Sequence, residues 1–184
     1  GLTLFSGFGL GTILMPVFAL FFSIDLAIAM TAIVHLFNNI FKFAFLGKFA
    51  DKKVVLQFGI PAIIAAFVGA KILIWFSDLK PLFTYYFFNK TFYIMPVKLL
   101  IAILMIFFAI FEVVSKFERI TFNKRYLPLG GMLSGLFGGL SGHQGALRSA
   151  FLLKCGLNKE SFIATGVVIA CIVDFSRLLV YSSR

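Results

Sequence analysis

Apolar residues run along this chain in blocks of about twenty, with polar residues gathered in short gaps between them. The blocks cover residues 2–22, 26–47, 54–76, 97–114, 128–153 and 159–181. Each is long enough to cross a bilayer as a helix, which satisfies every backbone polar group internally. The pattern predicts an all-α polytopic membrane protein with about six transmembrane segments.

Interruptions within the blocks carry most of the information. Gly7, Gly9, Gly11 and Pro16 fall inside the first, so it is expected to be a broken helix. Ser23 or Asp25 can cap the second. There His35, Asn38, Asn39 and Lys42 follow the i, i+3, i+4, i+7 spacing of one helix face. A polar stripe within a span turns toward the bundle, away from lipid. The third block holds Gln57, Pro61, Gly69 and Lys71, and Trp75 suits an interfacial depth. Residues 82–96 break the helical pattern. Aromatic and β-branched runs flank Asn89-Lys90 there, which predicts a β-hairpin, with plain packing as its expected role and a lid or a dimer contact as alternatives. The fifth block opens on Pro128, and Asn158 can cap the sixth. In the sixth, Asp174, Arg177 and Tyr181 share a face.

Composition agrees with the pattern. Hydrophobic residues make up 61%, charged residues 13%, and mean hydropathy is +1.04, values that exclude a soluble domain. The net charge of +10 is spread over the loops and forms no basic patch, so no nucleic-acid partner is expected. Cys155 and Cys171 lie in or beside apolar blocks and read as small packing residues. The loops after the second and fourth blocks are slightly the more basic, which favours their cytoplasmic placement. No signal-peptide pattern is present, and the chain opens inside an apolar block, so a fragment cut at both ends is expected.

The stretch Gly138-Gly139-Leu140-Ser141-Gly142-His143-Gln144-Gly145-Ala146-Leu147-Arg148 would not hold a regular helix, since each glycine costs about 1 kcal/mol against alanine. Broken backbone at membrane depth must face protein or a water-filled cavity. A second half-helix starting there would present free N–H groups, with Arg148 one turn inside. A positive helix end beside a guanidinium suits an anion. Ser141, Gly142, His143, Gln144, Gly145 and Arg148 are therefore candidate substrate-binding residues. Gly9, Gly11 and Thr12 join them from the first break. His35, Asn38, Asn39, Lys42, Asp174 and Arg177 are candidate polar or coupling residues. Asp174 is the natural ion-pair partner for Arg148, and Asp174 with Arg177 would lock the last helix or, alternatively, relay a proton. His143 could donate to substrate, carry a coupling proton or be a satisfied core histidine.

The two breaks belong to a repeat. Setting Thr31 against Thr165 brings Gly11 onto Gly145 and Pro16 onto Ala150. Residues 1–114 then form a four-span first repeat, 115–127 a charged connecting loop, and 128–184 the first two spans of a second repeat. Two further spans are expected. An even number of crossings per repeat makes the halves parallel.

The stretches Ser6-Gly7-Phe8-Gly9-Leu10-Gly11-Thr12-Ile13-Leu14-Met15-Pro16 and Leu133-Ser134-Gly135-Leu136-Phe137-Gly138-Gly139-Leu140-Ser141-Gly142, with the four-span repeat, resemble the TauE/SafE (sulfite exporter) family of membrane permeases. The chain departs from that pattern at Gly11-Thr12, at His143-Gln144-Gly145, at Arg148 and at Ala150. The resemblance implies transport of sulfite, a sulfonate or a related small organic anion across the bacterial inner (plasma) membrane, with no cofactor. The partners it implies are the lipid bilayer and a small anionic substrate, with a coupling proton or sodium ion and a homo-oligomer left open. The alternative is an intramembrane enzyme using His143 or His35. Against it, the chain has two histidines, no HExxH and no GxSxG. A channel would need polar rings along a pore, whereas these polar groups cluster at one depth.

Overall fold

A computed structural model describes residues 10–113 and 121–183. The helices are α1 (Leu10–Ala19), α2 (Ile24–Leu46), α3 (Lys52–Ser77), α4 (Pro96–Val113), α5 (Leu127–Ser141), α6 (Gly145–Leu152) and α7 (Lys159–Tyr181). Strands β1 (Phe83–Phe87) and β2 (Lys90–Ile94) form an antiparallel hairpin between α3 and α4. The protein is an all-α polytopic membrane protein apart from that hairpin. Residues 26–49, α3 and α7 are each long and apolar enough to cross a membrane. The expected fifth block is divided between α5 and α6.

Capping explains several helix starts. Asp51 Oδ1 accepts from the Val54 N–H at 2.9 Å and opens α3. Asn158 Oδ1 does the same for Ser161 at 2.8 Å at the start of α7. Ser23 stands at the N-cap of α2, yet its side chain makes no capping bond. The N–H of Asp51 also donates to Thr165 Oγ1 at 2.9 Å, which ties the α2–α3 loop to α7.

The expected break in the first block does not occur at Pro16, which lies inside α1. Gly7 and Gly9 lie outside the described residues. A larger correction concerns the fifth block. Gly138 and Gly139, expected in the break, are part of α5 like Gly130, Gly131 and Gly135 before them. Gly131, Gly135 and Gly139 sit against the carbonyls of Phe58, Ala62 and Ala66 in turn, and Gly69 sits against the carbonyl of Leu136. A Cβ at any of the four would collide with backbone. Small residues four apart on both helices let α3 and α5 touch main chain to main chain, as spans do in lipid, where apolar surface alone gives no drive to associate.

Phe58, Ala62, Ala66, Leu127, Phe151 and Val173 form one apolar core beside this contact. Ile28, Leu73, Ile101, Leu104, Phe108 and Leu140 form the other. Large apolar side chains face outward, among them Phe37, Phe41, Ile64, Ile103 and Phe175. An apolar groove of about 580 Å³ between α2, α3 and α7, lined by Leu36, Phe67, Cys171 and Phe175, also opens outward. Among the described residues, twelve polar or charged ones lie buried inside. That inversion suits hydrocarbon surroundings.

The hairpin differs from expectation in two ways. Its turn is Phe88-Asn89, with φ of 44° and 55°, and Lys90 pairs with Phe87. Two consecutive positive φ values make the type I′ geometry that matches strand twist. Its strand residues are all exposed, so the hairpin does not pack on the bundle. Tyr85 and Phe92 stack across the strands with centroids 5.3 Å apart.

Candidate functional site

The helix breaks at Gly142, where φ is +82° and the N–H closes onto the Gly138 carbonyl at 3.0 Å. This left-handed cap suits glycine. His143 and Gln144 carry the chain to Gly145, where α6 begins. Inside the membrane, the polar groups freed by the turn need partners, and the surrounding helices supply them. Ser134 Oγ donates to the Gln144 carbonyl at 3.1 Å. From α7, Arg177 Nη1 donates to the Gly138 carbonyl at 3.2 Å, and the Tyr181 hydroxyl donates to the Gly139 carbonyl. A cation against the last carbonyls of α5 also suits the negative end of that helix.

Asp174 is fully buried at the centre of this arrangement. Its carboxylate lies 2.8 Å from Arg177 Nη2. It accepts from Asn39 Nδ2 on α2 at 3.0 Å and from Gln144 Nε2 at the break at 3.2 Å. One carboxylate thus joins α2, α7 and the α5–α6 turn. The expected Asp174–Arg148 ion pair is not formed. Arg177, three residues along the same helix, takes that place, because i, i+3 spacing sets it beside the carboxylate.

Arg148 is buried on α6, within electrostatic reach of Asp174 and Lys42 and against Gly166 of α7. Its Nη1 is buried without a hydrogen-bond partner. His143 stacks on Phe108 of α4, with centroids 5.4 Å apart and planes 6° from parallel. Its Nδ1 lies 3.1 Å from Ser141 Oγ, and its Nε2 is buried and unpartnered. His35 Nε2 on α2 is likewise unpartnered, and His35 lies within electrostatic reach of His143, Asp174 and Arg148.

The structure therefore gathers Ser141, Gly142, His143, Gln144, Gly145 and Arg148 with His35, Asn39, Asp174 and Arg177. Lys42 is buried on the same face of α2, and Asn38 is half-buried there. Gly9 lies outside the described residues, and Gly11 and Thr12 occupy the first turn of α1. Two supporting contacts were not anticipated. Ser134 lies one turn before Gly138 in the quoted glycine stretch, a spacing that could have signalled its role. Phe108 gave no sequence signal, since one phenylalanine among 26 does not stand out.

A family model described as "Sulfite exporter TauE/SafE" matches residues 2–184. The chain belongs to the TauE/SafE family. No curated protein and no solved structure matched it. TauE/SafE proteins are membrane transporters, so this chain is a multi-pass permease-type protein that sits in the bilayer and carries a small substrate. The family is one of transporters, which sets the histidine-based enzyme alternative aside.

Proposed function

We propose that this TauE/SafE protein is a secondary transporter for a small anion, sulfite, a sulfonate or a related organic anion, in the bacterial inner membrane. The substrate binds at the break between α5 and α6. The observation that carries this reading is Arg148, a buried guanidinium with Nη1 unpartnered while the nearby carboxylate is engaged by Arg177, Asn39 and Gln144. A buried charge in a span costs several kcal/mol unless something compensates it, and an anion does so directly. The start of α6 adds backbone N–H groups to the same end. A proton or sodium ion is the coupling partner, with the cluster around His35 and Asp174 as its place, and a homo-oligomer fits the same reading.

The repeat with 1–114 as first half and 128–184 as start of the second is part of this reading. Shifting α1 and α2 by the Thr31-to-Thr165 offset places them at 144–153 and 158–180, one residue from the bounds of α6 and α7.

The test is sulfite uptake by proteoliposomes holding the full-length protein. Arg148→Ala should lower uptake by about tenfold or more, the worth of a charge-assisted contact, while the protein stays folded. Undiminished uptake in that variant would sink the proposal.

A further inference from the structure

The hydrogen-bond inventory at the break says more than that an anion binds. The Ser141 hydroxyl donates its one hydrogen to the Phe137 carbonyl at 3.2 Å, the back-bond of a helical serine. The Ser141 oxygen, 3.1 Å from His143 Nδ1, is therefore an acceptor toward the ring. Neutral His143 thus holds its proton on Nδ1, and its Nε2 is a lone-pair acceptor, buried and unpartnered. Gln144 repeats the pattern. Its amide nitrogen is fixed by Asp174 at 3.2 Å, which leaves Oε1 as a second buried acceptor without a donor. The side chains of His143, Gln144 and Arg148 are all more than nine-tenths buried.

Arg148 Nη1 is an open group of the opposite kind. Gln144 and Arg148 are four residues apart, yet Gln144 Oε1 and Arg148 Nη1 do not satisfy each other. At the break itself the cluster so presents the cationic donor Arg148 Nη1 and two neutral acceptors, His143 Nε2 and Gln144 Oε1. The other open buried atoms are His35 Nε2 on α2 and, on α7, Nε and Nη2 of Arg177, whose charge is already paired with Asp174. An oxyanion without hydrogen offers acceptors only. It would match Arg148 and set its own lone pairs against His143 Nε2 and Gln144 Oε1. Leaving buried acceptors unpaired is costly, and a site built around a hydroxyl discriminates strongly against analogues that lack it.

We infer that the protein selects a monoanion carrying its own hydrogen-bond donor, with Arg148 taking the charge and His143 Nε2 accepting the donor's hydrogen. This rests on the anion site proposed above and narrows its substrate class. Hydrogensulfite and 2-hydroxyethanesulfonate belong to the class; sulfate and ethanesulfonate do not. The other charged or titratable neighbours are His35 and Lys42 on α2, and Asp174 and Arg177 on α7. Asp174 and Arg177 are engaged with each other.

The experiment measures how 2-hydroxyethanesulfonate and ethanesulfonate inhibit sulfite uptake by the full-length protein in proteoliposomes at one fixed pH. The expected result is inhibition about tenfold or more stronger by the hydroxylated sulfonate. His143→Phe keeps a ring against Phe108 and removes the acceptor, so in it the ratio should fall to near one. Equal inhibition by the two sulfonates in the wild type, or none by either, overturns the inference while Arg148-dependent sulfite uptake preserves the anion site. A ratio unchanged in His143→Phe overturns it as well. Absence of sulfite uptake in the wild type overturns the inference together with sulfite as substrate, and leaves the permease assignment standing. The wild-type comparison decides the matter even if the variant does not fold.

Discussion

Gly142 and Asp174 are the residues on which the break depends, for different reasons. At Gly142 a Cβ would sit in the left-handed region and 2.6 Å from Arg177 Nη1. Gly142→Ala should therefore cost about 1–2 kcal/mol from backbone strain alone, and more if Arg177 is displaced. Thermal unfolding of the purified protein in detergent would show it as a lowered Tm. Asp174→Asn is expected to be worse, because it leaves the Arg177 guanidinium buried and uncompensated. Removing one partner of such a pair costs about 3–5 kcal/mol. The contrast with Arg148→Ala is the informative part: that variant should fold and fail to transport, whereas Asp174→Asn should fail to fold. A well-folded Asp174→Asn protein with normal Tm would show that Asn39 and Gln144 hold the turn without the charge.

Among the elements, α3 and α5 are joined by backbone contact, and this decides which glycines can change. Gly135→Val should separate the two helices and abolish folded protein, since its Cβ would strike the Ala62 carbonyl. Gly59→Ala should be tolerated, because the nearest atom to its Cβ is the Val55 side chain at 3.9 Å. Size-exclusion profiles of the two variants test the pair together. The spans themselves were legible from hydropathy, since twenty apolar residues in a row leave few alternatives. Gly139 was misread as part of the break because a sequence shows that glycine can bend but not that the Ala66 carbonyl lies against it. Asp174 had two candidate partners in the sequence: the Arg177 lock on its own helix face forms, and the pair with Arg148 does not. The hairpin was legible from its aromatic and β-branched runs, but its turn fell one residue earlier because Phe88, a poor candidate for positive φ, adopts it. Asn158 was legible as a cap because capping is local.

At the level of the whole molecule, the exposed hairpin is separable from the bundle. The Leu82 N–H bonds the Ile94 carbonyl at 2.9 Å, so the ends of the hairpin are close and a short linker can replace residues 83–94. That deletion should leave the Tm of the bundle unchanged, as measured in detergent; a large drop would mean the hairpin supports the helices. The polar interior was visible as positions on faces of separate blocks, but its assembly around one carboxylate was not, because the contacts span 135 residues from Asn39 to Asp174.

The glycine-to-carbonyl contact between α3 and α5 limits how this protein can move. Gly131, Gly135 and Gly139 of α5 each face one carbonyl of α3, and the fit repeats only every fourth residue. Sliding one helix along the other by a smaller step would drive side chains such as Leu136 or Phe137 into backbone. The two helices must therefore travel as one rigid beam. A transport cycle that exposes the break to each side in turn has its hinges elsewhere, at the side-chain-lined seams that α2, α4 and α7 make with that beam.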